Sequence, residues 1–154
     1  QPVTAGGSGD RLLLGGVQVT RPERPPSLDE LRIPHPLDRS FGAVRLLGYG
    51  LTLVGQDAER TSFAAGDQVE LTLFWQADAR PSTDASLAVE LRGGSAPLFS
   101  GKVIASHPTS TWLAGDRYRE QHRLTLPASS RGEHDLVVRI GDSAPVRLTQ
   151  LSVR

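Results

Sequence analysis

Four histidines, two pairs of carboxylates and one tryptophan in a polar loop are the residues of this 154-residue chain whose types and spacing could do chemistry. His35, His107, His122 and His134 could meet at a metal ion. None, however, stands as His-x-His or His-x-x-x-His, the spacings that put two imidazoles on one face of a strand or helix. His35 lies between Pro34 and Pro36, and His107 precedes Pro108, both loop contexts. His122 and His134 fall in strand-like runs with charged neighbours. All four read as single, solvated or half-buried imidazoles. Asp57 with Glu59, and Glu133 with Asp135, put two carboxylates on one side of an extended segment, as a glycosidase or a calcium site would need. Such pairs are equally ordinary on an exposed strand face. Serine is plentiful, but no Gly-x-Ser-x-Gly elbow and no Ser-x-x-Lys occurs, so acyl-transfer chemistry has no positive support.

Trp112 differs from the other aromatic residues because it sits in the polar loop His107-Pro-Thr-Ser-Thr-Trp-Leu-Ala-Gly-Asp116. A loop at one end of a rigid scaffold can offer an indole to the apolar face of a sugar. Trp112 is therefore the candidate ligand-binding residue, with Tyr49, Tyr118 and Asp116 as companions. Thr109, Ser110 and Thr111 would serve the sugar hydroxyls. The competing reading of the same ring is a plug that closes one end of the core. Trp75 continues an inward-facing row and belongs to the core. No cofactor and no metal is expected.

The elements that must position these residues are strands. From Phe41 onward a turn signal is repeatedly followed by an alternating run of β-forming residues. The runs are 44–54, 69–76, 86–92, 97–105, 118–126, 134–140 and 146–153. In the clearest of them Val69, Leu71, Leu73 and Trp75 point one way and Glu70, Thr72 and Gln76 the other; Phe74 breaks the polar face and calls for a covering segment. With Leu12–Thr20 the total is about eight. Ser27-Leu-Asp-Glu30 has the order of a capping box, and Pro34 leaves room for one or two turns, so at most one short helix is expected. Five prolines between 22 and 36 mark 21–40 as an extended segment that can neither continue a helix nor sit inside a sheet. Ala-Gly-Asp recurs at 65–67 and 114–116 as shared turn grammar rather than a repeat. The expected architecture is all-β, a two-sheet antiparallel sandwich of jelly-roll or immunoglobulin-like type.

Composition bounds the partners. Seventeen basic residues offset seventeen acidic ones, so the field that draws nucleic acid or anionic lipid is missing. There is no cysteine, which removes disulfides and thiolate chemistry. No apolar run approaches the roughly 18 residues that span a bilayer. The chain has no methionine and is expected to be a piece of something longer. Residues 1–9, rich in glycine, read as a linker, and 10–154 as one domain, expected to be monomeric.

Several segments together resemble a known family: Phe41-Gly42 with Leu46-Leu-Gly-Tyr49, Ala65-Gly-Asp67 leading to Leu71-Thr-Leu-Phe-Trp-Gln-Ala77, Pro108-Thr-Ser-Thr-Trp112 with Gly115-Asp116, and Leu124-Thr-Leu-Pro127 ahead of Gly132. Their order is similar to the β-sandwich domain appended, after the last transmembrane helix, to bacterial membrane glycosyltransferase-like proteins of the protein-mannosyltransferase type. His134 stands where those domains carry the tyrosine of Gly-x-Tyr. The resemblance implies an extracytoplasmic, non-catalytic accessory module of an envelope protein, with a glycan or another envelope protein as partner, or a structural spacer. The rival classes are a protein-interaction module, which would show an exposed apolar patch or an unprotected edge strand, and a small glycan-active enzyme, which would aim two carboxylates into one cleft.

Overall fold

A computed structural model describes residues 27–92 and 97–154. The expectations that fall on 1–26 and 93–96, among them the linker 1–9, the strand Leu12–Thr20 and a Gly93-Gly94 turn, lie outside the described residues. The described residues begin with helix α1 (Leu28–Leu31). Nine strands follow among the described residues: β1 (His35–Phe41), β2 (Val44–Leu53), β3 (Ser62–Phe63), β4 (Gln68–Ala77), β5 (Ser86–Leu91), β6 (Phe99–Lys102), β7 (Arg117–Thr125), β8 (Gly132–Ile140) and β9 (Val146–Val153). A 3-10 turn, Thr109–Thr111, stands between β6 and β7.

The capping box forms as the residue order requires. The Ser27 hydroxyl accepts from Glu30 N–H at 3.1 Å, and the Glu30 carboxylate accepts from Ser27 N–H at 2.7 Å. Arg32, at φ 52, ends the helix in the left-handed region. Four residues cannot sustain a helix in isolation, so its position rests on what it touches.

The strands make two sheets. One has the order β1-β2-β4-β7, all antiparallel; the other has the order β3-β9-β8-β5-β6, in which only β3 runs parallel to its neighbour β9. β2, β4 and β7 stand as the A, B and E strands of an immunoglobulin-type sandwich, and β5, β8 and β9 as C, F and G. β2 and β3 together form a first strand that starts in one sheet and finishes in the other, crossing over at 54–61. This order selects the immunoglobulin-like alternative over the jelly roll.

Two strands correct the sequence reading. Residues 35–41, expected only as an extended proline-rich segment, pair with β2 as an edge strand. Pro36 is tolerated there because β1 has a partner on one side only among the described residues, so the absent N–H breaks nothing. β3, at two residues, is too short to show a period.

The alternation fills the interior as expected. Val69, Leu71, Leu73 and Trp75 of β4 meet Leu87, Val89 and Leu91 of β5 and Leu136, Val138 and Ile140 of β8 in one cluster. A register shift between Leu46 and Gly48 resets the phase of β2. Val44 and Leu46 before it and Tyr49 and Leu51 after it therefore all reach the core. The outer face of β2 and β4 is covered by 31–36, which explains Phe74. It lies across from Gly48, is buried, and shares a groove with Leu31 and Pro34. Gly48 is what lets the segment approach, since a Cβ there would stand 2.4 Å from Ile33 Cγ2 and 2.5 Å from the His35 carbonyl oxygen.

Candidate functional site

β7 is the longest strand that has a neighbour on one side only among the described residues. It leaves an Ala-Gly-Asp turn. The Asp116 carboxylate accepts from Leu113 N–H at 2.9 Å, and Gly115 has φ 91. The turn before β4 is built alike, with Asp67 accepting from Ala64 N–H at 2.8 Å and Gly66 at φ 85. Two like turns thus launch the two strands that pair with each other. β4 and β7 pair without a register shift from Gln68–Thr125 to Gln76–Arg117. Ala77 N–H donates to Asp116 O at one end and Leu126 N–H to Asp67 O at the other. The alternation of an antiparallel ladder therefore turns the backbone groups of Tyr118, Glu120 and His122 towards β4 and those of Arg119, Gln121 and Arg123 away from it.

The inward face of this strand carries Asp116, Tyr118, Glu120 and His122 at every second residue. Tyr118 O–H donates to Asp116 Oδ2 at 3.1 Å, and its oxygen lies 2.9 Å from His107 Nε2. Glu120 is buried with both oxygens engaged. Oε1 accepts from Trp75 Nε1–H at 2.9 Å, and Oε2 accepts from Ile104 N–H at 2.7 Å. That second bond holds Ile104 at φ 41, an expensive conformation for a β-branched residue. His122 packs on Phe99 with ring centroids 4.2 Å apart. Its Nε2 lies 2.9 Å from Glu120 Oε2 but off the alignment of a hydrogen bond, so this buried nitrogen is without a hydrogen-bond partner among the described residues. A cleft of about 550 Å³, lined by 104–106 and 119–122, opens along this edge.

The structure brings Trp112, Tyr118 and Asp116 together and leaves Tyr49 apart, but not as a sugar platform. Trp112 is fully buried, packs on Tyr118 with centroids 4.6 Å apart and donates its Nε1–H to His107 O at 2.9 Å. Its polar neighbours serve the fold. Thr109 Oγ1 donates to Thr83 O and accepts from Ala85 N–H, each at 2.8 Å. Ser110 donates to Asp84, and this hydroxyl holds the Asp84 carboxyl below the usual carboxylate range. With every donor used internally and no ring surface outside, the expected stacking role of Trp112 is withdrawn and the plug reading stands. Tyr118 is likewise buried. Tyr49, beyond β4 on β2, is stacked on His35 at 4.7 Å, and burial pushes its phenol up. His35 is thus a strand residue rather than a loop one.

Of the expected carboxylate pairs, Asp57 and Glu59 do line one groove, of about 350 Å³, together with Glu30 and Glu70, but Glu59 is engaged by the fold. Glu59 accepts from Leu51 N–H at 2.6 Å and lies 3.0 Å from His35 Nε2, while Asp135 is shared by Arg92 and Arg147. Among the described residues no three His, Cys, Asp or Glu side chains gather as metal ligands, and no helix is long and apolar enough to cross a membrane. No protein-family model matches the chain, and no curated protein matches it. The resemblance therefore rests on its quoted motifs alone.

A second concavity, about 680 Å³, lies on the outer face of the first sheet, with Leu28, Ile33, Leu37 and Leu47 beside Arg45 and Arg117. Its polar groups are locked to one another. Arg45 bonds both Asp38 and Asp78, Gln76 Nε2 donates to Asp78, and Arg117 Nε donates to Gln76 Oε1 at 2.8 Å. The guanidinium of Arg45 holds Asp78 below its ordinary range. The sequence reading missed Glu120 and His122 as a unit. The signal was present in Asp116-x-Tyr-x-Glu-x-His122, four titratable residues at the strand period.

Proposed function

We propose that this chain is a non-catalytic interaction module of a larger cell-envelope protein, acting by holding a partner rather than by making bonds. The observation that carries the reading is β7, a nine-residue strand at the sheet edge among the described residues, whose outward backbone groups lie beside an open cleft. An edge of this length is a template for pairing, and it is the feature by which an interaction module differs from an enzyme or a spacer. The acid–base groups next to it are consistent with this reading. Both oxygens of Glu120 are taken by donors of the fold, so neither is held out to a substrate as a general base. The envelope setting is supported by the resemblance, in which transferase chemistry belongs to the membrane part.

A photo-crosslinking residue at Gln121 tests this in cells producing the parent protein, with the exposed Gln150 of β9 as control. A discrete adduct from 121 and none from 150 is expected. No adduct, or equal adducts from both, would end the reading.

Glycan binding remains as a second reading and moves to the outer-face groove, where planar polar groups fixed in a network flank an apolar floor. Retention on a glycan array that Arg45→Ala abolishes and Trp112→Phe preserves is its expected signature.

A further inference from the structure

We propose that β7 takes an acidic extended peptide segment as an added strand; this rests on the interaction reading above and names the partner. Three observations converge. The first is the lane itself. Arg119, Gln121 and Arg123 turn their backbone groups away from β4, and the cleft formed by 104–106 with 119–122 opens beside the first two of them, on the side where a further strand would pair. The second is charge. Arg119 and Arg123 are exposed on the outer face of that edge, and neither has an ion pair among the described residues, even though Glu70 lies across from Arg123 on β4. Cations at alternate-but-one positions match carboxylates at the same spacing on an incoming strand.

The third observation concerns what the same arginines exclude. Pairing of β7 with β7 of a second copy about a two-fold at Gln121 would set Arg119 against Arg123 twice, a like-charge arrangement that disfavours self-association. That register is thus disfavoured for a second copy, whereas an acidic strand in it would meet opposite charge. On the inner face the added strand would run past Glu120 and His122, whose Nε2 already lies 2.9 Å from the Glu120 carboxylate.

The test uses an eight-residue peptide alternating glutamate and threonine, a lysine–threonine peptide as control, and amide hydrogen exchange followed by NMR on the 154-residue protein. The acidic peptide is expected to slow exchange at Arg119, Gln121 and Arg123 and to leave the amides along β1 unchanged. Its affinity should exceed that of the basic peptide by about tenfold or more at low salt and fall as salt rises. Arg119→Glu with Arg123→Glu should reverse the preference between the two peptides. Gln121→Pro, which removes an outward N–H and no bond of the fold, should weaken the acidic peptide without changing the melting temperature. Protection absent at millimolar peptide, protection centred on another edge, or equal binding of both peptides would overturn the proposal. If the peptide fails while Gln121 still crosslinks in cells, the acidic-strand assignment falls and the interaction reading survives; failure of both removes both.

Discussion

Trp112 shows how a residue's chemistry is decided by the bonds around it rather than by its sequence neighbours. Every polar residue beside it has a partner in the 83–85 loop or its own turn, Thr109 and Thr111 on backbone carbonyls and Ser110 on the Asp84 carboxylate, and the indole, with its N–H satisfied by His107 O, is left to pack. Trp112→Ala should therefore cost about 3–5 kcal/mol of stability, measured by denaturant unfolding; a variant melting like the parent would contradict the burial. His134 makes a parallel case. The tyrosine expected from the resemblance is replaced, yet His134 Nε2–H donates to Arg131 O at 2.8 Å, as the phenol of a tyrosine corner bonds the backbone a few residues upstream. His134→Phe is expected to lose about 1 kcal/mol, and His134→Tyr to retain most of it; equal losses would show that the bond contributes nothing. The core role of Trp75 was legible because the period of β4 is unambiguous. The burial of Trp112 was not, because no pattern within one loop reveals which second loop its hydroxyls will meet.

At the scale of elements, the strands with clean alternation and the capped turn at Ser27 were legible, since each is fixed by residues close in sequence. β1 was not, because three-dimensional placement at an edge is what makes its proline harmless. Its docking depends on Gly48. A methyl group there would meet both Ile33 Cγ2 and the His35 carbonyl oxygen, so Gly48→Ala should destabilise by about 1–3 kcal/mol. The flexible neighbour can move and the backbone carbonyl cannot. Adding Ile33→Ala to Gly48→Ala should consequently fail to restore the parent's melting temperature. A restored melting temperature would place the strain in the side chain alone and leave the backbone approach without consequence.

Across the whole molecule, strand order was the least legible property, because periodicity states which residues face inward but not which edges meet. The order explains why 27–41 matters beyond its own few contacts. This segment contributes only Leu37 and Phe41 to the rim of the core, yet it covers Leu47 and Phe74 on the outer face and gives β2 its second neighbour. Deleting 27–41 leaves the inner cluster of β2 to β9 almost intact, so the remainder should still unfold in one cooperative step. It should be weaker by about 3–6 kcal/mol, the cost of uncovering two large side chains at roughly 1.5–3 kcal/mol each. It should also associate with itself, because β2 would become a ten-residue edge with Arg45 as its only charge, against the arginines that guard β7. Unfolding by denaturant gives the first quantity, and sedimentation at rising concentration gives the second. Loss of all cooperative unfolding would mean that the lead-in belongs to the folding core. A monomer of unchanged stability would mean that the outer face needs no cover, and Phe74 would then be an exposed side chain in solution.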